Sequence, residues 1–147
     1  MRPMVEVLAR QSFFQDLAPR HLEALADCCA QVEFAGGAVV FEAGDAADHF
    51  YLVRRGRLVL EAPAGGARLA AVQSVEPGEV VGWTWLVPPH RWRYRGRAVE
   101  DTQALAFNGG QLRGSCAADG ALGYDLLARF VQVMAARLET SRRYRAE

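Results

Sequence analysis

The chain has 147 residues, 51% of them hydrophobic, which is typical of one compact domain with a sizeable core. Its 17 basic and 17 acidic residues cancel, so no overall field attracts nucleic acid or an anionic membrane. No apolar run is long enough to span a bilayer and the start has no signal-peptide core, which predicts a soluble, cytoplasmic protein with no membrane partner.

The first predicted element is an amphipathic helix over residues 19–30, within a helical entry that covers residues 1–31. Pro19 fits the first position of a helix, where its missing N–H group is not needed. Apolar residues then follow at helical spacing. They are Leu22, Leu25, Ala26 and Cys29.

Residues 32–107 are predicted to be all β. Short apolar or alternating runs rich in valine and aromatic residues are separated by glycine turns. The runs HFYLV and RLVLEA flank a turn at Gly56, and this pattern predicts a hairpin. No helical segment interrupts these runs, so we expect a closed or rolled antiparallel sheet.

The helical pattern returns over residues 110–145, first briefly at residues 111–117 and then over residues 119–145. The longer run carries an apolar stripe that we interpret as the interface of a homodimer. An alternative is that the stripe packs back on the barrel and the first helix. The stripe consists of Leu127, Phe130, Met134 and Leu138.

Several segments together resemble a known family. They are FFQDLAPRHLEALA, GAVVFEAGDAADHFYLVRRGRLVL, PGEVVGWTWL, RYRGRAVEDTQALAF and LLARFVQVMAARLETSRR. They resemble the cyclic nucleotide-binding domain of the catabolite-activator and FNR-type regulators over nearly the whole chain. The resemblance implies one domain over residues 1–147, mainly β with flanking helices. Its sheet is an antiparallel β-roll or jelly-roll (double-stranded β-helix), followed by a long C-terminal helix.

The resemblance also implies a phosphate-binding cassette, in which a Glu accepts a ribose hydroxyl and an Arg pairs with the cyclic phosphate. This chain keeps Gly82 and Leu86 of that pattern, but Trp83 stands at the Glu position and Trp92 at the Arg position. A buried phosphate without these partners is costly, so we expect cAMP and cGMP to bind weakly or not at all. The candidate ligand-binding residues are Gly78, Glu79, Gly82, Trp83, Trp85, Arg91, Trp92 and Arg93.

The segment RWRYRGR, residues 91–97, alternates arginines with other residues. In a strand this alternation places the arginines on a solvated outer face and Trp92, Tyr94 and Gly96 on the inner face. An anion-binding arginine stripe is the alternative. Arg91 or Arg93 would replace the lost phosphate partner only if the strand slipped by one residue. The three tryptophans form either a plug or reshaped apolar pocket, or a stacking cage for a planar ligand. They are Trp83, Trp85 and Trp92.

No pattern indicates catalysis or a metal site. The histidines form no HxH pair and the serines lack a nucleophile motif, so we expect no enzyme activity. We expect no cofactor either, apart from a cyclic nucleotide or another small ligand. The cysteines are expected to be reduced structural thiols. They are Cys28, Cys29 and Cys116.

The leading functional hypothesis is a stand-alone, ligand-sensing regulatory domain whose ligand is non-standard or absent. The first alternative is a protein-interaction module that kept the fold, lost the ligand and acts through its long helix. The second is a cAMP or cGMP receptor that uses Arg91 or Arg93. A helix-turn-helix module would need more chain after the long helix, so we expect no direct sequence-specific DNA binding.

Overall fold

A computed structural model describes residues 2–146, with side chains described for residues 2–139. Helices precede and follow a central block of strands, as the sequence predicts. The helices are α1 Pro3–Ala9, a 3₁₀ helix Ser12–Phe14, α2 Pro19–Asp27, α3 Gly109–Ala118 and α4 Gly120–Ala146.

The strands form two four-stranded antiparallel sheets. They are β1 Cys29–Phe34, β2 Val39–Phe41, β3 His49–Arg55, β4 Leu58–Pro63, β5 Leu69–Val75, β6 Val80–Val81, β7 Arg95–Ala98 and β8 Thr102–Asn108. One sheet has the order β1-β8-β3-β6 and the other the order β2-β7-β4-β5. This architecture confirms the predicted mainly β roll with flanking helices.

The helix α2 is shorter than its periodicity predicts. It begins at Pro19 as expected but ends at Asp27, three residues before the predicted end at residue 30. Cys29 and Ala30 instead open β1 and pair with Phe107 and Ala106 of β8. Pairing with a strand distant in sequence satisfies these backbone groups and overrides the local helical spacing.

The predicted hairpin around Gly56 is wrong. Strand β3 pairs with β6 and β8, whereas β4 pairs with β5 and β7, so the turn passes the chain from one sheet to the other. Gly56 has a φ of +90°, and a Cβ there would lie 2.6 Å from Thr102 Oγ1. The Arg57 N–H donates to that oxygen at 3.2 Å. The corner is therefore anchored to the start of β8 rather than to a neighbouring hairpin strand.

The buried side chains form two clusters. The first lies between the helices and one sheet and includes Leu8, Leu25, Phe50, Trp85, Phe107, Leu126 and Phe130. The second lies inside the roll and includes Phe41, Val53, Leu58, Val81, Trp92 and Ala98. The candidate site described below borders the second cluster.

The start of α4 is tied to α2. The Asp119 carboxylate accepts the N–H of Ala121 at 3.2 Å, an arrangement that caps the first turn of the helix. Its other oxygen accepts from Arg20 Nε at 3.1 Å and lies 3.2 Å from His21 Nε2. These contacts fix the direction in which α4 leaves α3 and passes along the roll.

Candidate ligand-binding cavity

A cavity of about 350 Å³ lies between the β-roll and α4. Pockets that hold small molecules typically measure roughly 300 to 1,000 Å³. From the roll it is lined by Phe41, Leu60, Gln73, Val81, Gly82, Trp83, Thr84, Trp92, Arg93 and Tyr94. From α4 it is lined by Met134, Arg137 and Leu138. An occupant would therefore contact both the sheet and the helix.

Gly82 and Trp92 lie against each other in the lining of the cavity. Gly82 has a φ of +105°, a backbone conformation that side chains strain. A Cβ at this position would also lie 2.6 Å from Trp92 Cη2. The glycine is therefore needed both for its backbone conformation and for the close approach of the indole.

Trp92 belongs to an aromatic stack inside the roll. Its ring is parallel to that of Phe41, with 3.5 Å between the ring centroids, and the Tyr51 ring lies 6.3 Å away. Trp92 is 8% exposed, so the indole fills space that a smaller residue would leave to solvent or ligand. Trp83 is half-buried at the other side of the cavity, with the Arg93 guanidinium 5.4 Å from its ring centroid.

Thr84 contributes a buried hydroxyl without a partner. The residue is 6% exposed, and its Oγ1 makes no hydrogen bond within the described part of the chain. Its carbonyl oxygen lies 3.0 Å from His90 Nδ1, which holds the loop between β6 and β7 together. Buried polar atoms are nearly always paired, so this unpaired hydroxyl is an exception among the residues that line the cavity.

Arg137 is the basic group that α4 brings to the cavity. Its guanidinium donates to the Val80 carbonyl oxygen, which joins the helix to β6. Burial lowers the pKa of Arg137 because the charged form loses water, and the nearby charge of Glu79 partly opposes this effect. A guanidinium has five N–H donors, so one carbonyl leaves donor capacity for a ligand.

Most arginines of residues 91–97 lie outside the cavity, and only Arg93 lines it. Trp92 and Gly96 are buried as the alternation predicts, whereas Tyr94 is 42% exposed because the chain bends before β7 begins. Arg91 donates to the Gly44 carbonyl oxygen at 2.8 Å. Two-point ion pairs join Arg95 to Glu42 and Arg97 to Glu61.

The other predicted ligand-binding residues lie elsewhere. Trp85 is fully buried in the first cluster, with its ring centroid 5.3 Å from that of Phe50, so it does not line the cavity. Gly78 and Glu79 line a second cavity of about 340 Å³ beside α4. Of the eight candidates, those that line the first cavity are Gly82, Trp83, Trp92 and Arg93.

Sequence reasoning missed several lining residues. Met134 and Leu138 were assigned only to the interface stripe. Val81, Thr84 and Tyr94 lie in the cassette segment or next to it, but they are not among the predicted ligand-binding residues. The remaining ones come from distant strands and from α4, and nothing local marks them. They are Phe41, Leu60, Gln73 and Arg137.

The predicted interface stripe on α4 requires one correction. Phe130 is 2% exposed, and its ring packs edge-on against Phe13 and Phe50 at centroid distances of 5.1 and 5.2 Å. It is a core residue, because α4 rests this face on the roll. The exposed apolar residues of the helix form a row with intervals of three, four, three and four residues: Tyr124, Leu127, Val131, Met134 and Leu138.

Among the described residues, no helix combines the length and apolar character that crossing a membrane requires. No group of three or more His, Cys, Asp or Glu residues in this part of the chain converges in a way that could hold a metal ion.

Comparisons with known proteins agree on one family. The model of the cyclic nucleotide-binding domain matches residues 31–119. The HTH-type transcriptional regulator Cmr of Mycobacterium tuberculosis is 38% identical over 91 residues, which are 60% of this chain and 37% of that regulator. This chain thus spans well under two thirds of the regulator's length.

Solved structures of other proteins are also similar to this chain. A candidate cyclic nucleotide-binding protein of Geobacter metallireducens GS-15 is similar with a TM-score of 0.84 and 28% identity, covering 94% of this chain and 99% of that one. The catabolite activator protein of Thermus thermophilus is similar with a TM-score of 0.69 and 24% identity, covering 87% of this chain and 61% of that one. At the latter identity the likeness shows the fold alone.

Proposed function

Because this chain belongs to the cyclic nucleotide-binding domain family, we propose that it is a regulatory domain that senses a small molecule without chemically changing it. The observation that carries the proposal is the cavity between the roll and α4. Its walls come from both parts, so binding energy gained there depends on how the helix sits. The similarity to a transcriptional regulator supports a regulatory role.

We propose further that the ligand is not a standard cyclic nucleotide. Among the described residues, the lining of the cavity contains no Asp or Glu that could accept a ribose hydroxyl. The Trp92 ring lies beside Gly82, where the family resemblance places the arginine that pairs with phosphate. A cyclic phosphate at that place would be desolvated without a charged partner, which disfavours binding.

The proposed output is a change in the position or order of α4. Met134, Arg137 and Leu138 line the cavity within a little more than one turn of that helix. The bond from Arg137 to the Val80 carbonyl joins the same turn to β6. A molecule that binds better to one helix position than to another shifts the population toward that position.

A melting and hydrogen-exchange experiment tests this function. The full chain would be titrated with cAMP, cGMP and a set of small aromatic fragments. A ligand at 100 times its Kd adds about 2.7 kcal/mol, or roughly 5 to 10 °C in a chain of this size. We expect at least one fragment to raise the melting temperature and to slow amide exchange in α4, with little effect of either cyclic nucleotide.

Two matched variants of α4 test whether the stabilising fragment binds in the cavity. Met134→Trp places a large ring at the cavity wall and is expected to abolish the fragment's effect, whereas Leu127→Trp on the exposed row of the same helix is expected to preserve it. A saturable rise at micromolar cAMP would instead favour a cyclic nucleotide receptor that uses Arg93. Absence of binding by every compound would refute ligand sensing and leave an interaction module.

The exposed row on α4 favours a second function, association through the helix. Leu127 and Val131 are 48% and 52% exposed, and the heptad-like spacing of the row suits pairing with another helix. We propose a homodimer joined through α4, in which the regulatory output passes between the two copies. The expectation that this chain does not itself bind DNA remains a prediction.

A further inference from the structure

We propose that the ligand is a small planar aromatic molecule with one anionic group, held by the Arg137 guanidinium and the Thr84 hydroxyl. This inference rests on the proposed sensing function and names the chemical class of the molecule sensed. It places the anion at the α4 side of the cavity rather than beside Gly82.

The aromatic part follows from the walls. The aromatic residues Trp83, Trp92 and Tyr94 line the cavity. Trp92 is already stacked on Phe41, so its orientation is set without a ligand. Rings held in fixed orientation favour a flat molecule that can stack on them, because little side-chain entropy is lost on binding.

The anionic part follows from the charges. Within residues 2–139, the lining holds two arginines and no carboxylate, so this part of the cavity wall carries positive charge. Within residues 2–139, no carboxylate oxygen lies within 4.0 Å of the Arg137 guanidinium. Glu79 is the nearby acidic group and lines the second cavity together with Arg137, but its carboxylate accepts the Glu76 N–H at 2.7 Å and forms no ion pair with Arg137 among the described residues. A partly buried guanidinium whose hydrogen-bond partner in the described chain is a carbonyl is stabilised by an anion.

Thr84 supplies an independent observation. Its side chain is more than nine-tenths buried, lines the same cavity and has an oxygen without a partner in the described chain. Thr84 and Arg137 line the same cavity, and a hydroxyl and a guanidinium can both donate hydrogen bonds to a carboxylate. The buried hydroxyl therefore matches a ligand acceptor rather than a purely apolar occupant.

Isothermal titration calorimetry with indole-3-carboxylate and its neutral analogue indole-3-carboxamide tests the proposal. We expect the carboxylate to bind at least about tenfold more tightly than the carboxamide. Arg137→Gln should remove this preference of the chain for the carboxylate over the carboxamide. Thr84→Val keeps the shape and should weaken the carboxylate by about threefold to tenfold.

Arg54→Gln is the matched control, because Arg54 is exposed on β3, lines neither cavity and its loss changes the net charge equally. Circular dichroism would verify that each variant is folded. Equal binding of the two probes, or an unchanged preference in both Arg137→Gln and Thr84→Val, overturns this inference but leaves the sensing function standing. Failure of both probes overturns the inference alone if other fragments still stabilise the chain, and overturns both if none does.

Discussion

The indole of Trp92 approaches Gly82 so closely that a Cβ on residue 82 would come within 2.6 Å of Cη2. The two residues are ten positions apart and lie at opposite ends of the loop between β6 and β7. Both residues line the cavity. In the family resemblance these positions belong to the phosphate cassette.

We expect Gly82→Ala to lower the free energy of unfolding by about 2 to 4 kcal/mol, because strain at positive φ adds to the clash with the indole. Gly37→Ala is the control, since Gly37 has a φ of +89° and no atom within 4 Å of an added Cβ. It should cost only about 1 to 2 kcal/mol. Urea denaturation measures the free energy of unfolding of both variants. Equal losses would contradict a clash between the Trp92 indole and a Cβ at residue 82.

The double variant Gly82→Ala with Trp92→Leu separates the stability lost to the clash with the indole from the stability lost to backbone strain. Removing the indole relieves the clash but not the backbone strain, so the combined loss should be smaller than the sum of the single losses by about 1 kcal/mol or more. Adding Trp92→Leu to Gly37→Ala should give simple additivity. Additivity in both pairs would show that Gly82 and Trp92 are not coupled.

We expect the purified chain to be a dimer at tens of micromolar and the pair Leu127→Glu with Val131→Glu to make it monomeric, because both residues lie on the exposed row of α4. Light scattering after size exclusion gives the mass. Phe130→Ala should retain the dimer mass but lose about 3 to 5 kcal/mol of stability, since Phe130 is a core residue. A monomeric wild-type chain would rule out the proposed dimer.

The contacts of Asp119 predict that part of the stability of the folded chain is lost at acidic pH. The hydrogen bond from Arg20 lowers the pKa of Asp119 below the ordinary value of 3.8, although burial opposes the shift. A lowered pKa stabilises the folded state above the unfolded pKa, and this contribution is lost as pH falls through the folded pKa. Asp119→Asn should therefore be less stable than wild type at pH 7, and the difference should shrink below about pH 4.

Urea midpoints measured between pH 7 and pH 2.5 give this comparison. Asp48→Asn serves as the control, because the Asp48 side chain is exposed. Its difference from wild type should be small at every pH. A stability difference for Asp119→Asn that stays constant down to pH 2.5 would mean that the carboxylate charge contributes nothing.

The thiols should react slowly in the folded chain. Burial raises the pKa of Cys28 to about 11 and that of Cys29 to about 12, since a thiolate is poorly solvated there. Only about 0.1% of a thiol with a pKa of 11 is thiolate at pH 8, against roughly a quarter at a pKa of 8.5. We expect Ellman's reagent at pH 8 to react with both at least about tenfold more slowly than in urea.

Single replacements assign the phases of that reaction. Cys116 has a pKa that burial also raises, and it is half-buried on α3, so we expect it to react first. Cys116→Ser should remove the fastest phase, while Cys28→Ser should leave it unchanged. Fast reaction of Cys28 in the folded chain would show that the first core cluster opens readily.

The features that sequence reasoning predicts well depend on neighbouring residues. Pro19 and the spacing of Leu22 and Leu25 indicate α2 because helix geometry repeats every 3.6 residues. The strand alternation places Trp92 and Gly96 inward for the same kind of reason, since side chains in a strand alternate between faces. The family resemblance likewise rests on short runs in a fixed order, and it led correctly to the β-roll.

The tertiary structure decided what depends on contacts between distant residues. Strands β3 and β4 adjoin in sequence but enter different sheets, because β3 pairs with β8 and β4 with β7, and both of these partners lie tens of residues later in the chain. Phe130 and Leu127 look alike in the helical pattern, yet only Phe130 meets the core. Arg137 reaches the cavity because α4 folds back to Val80, 57 residues earlier in the chain. Local periodicity carries no information about such contacts, since they form only when burial of the whole core brings these elements together.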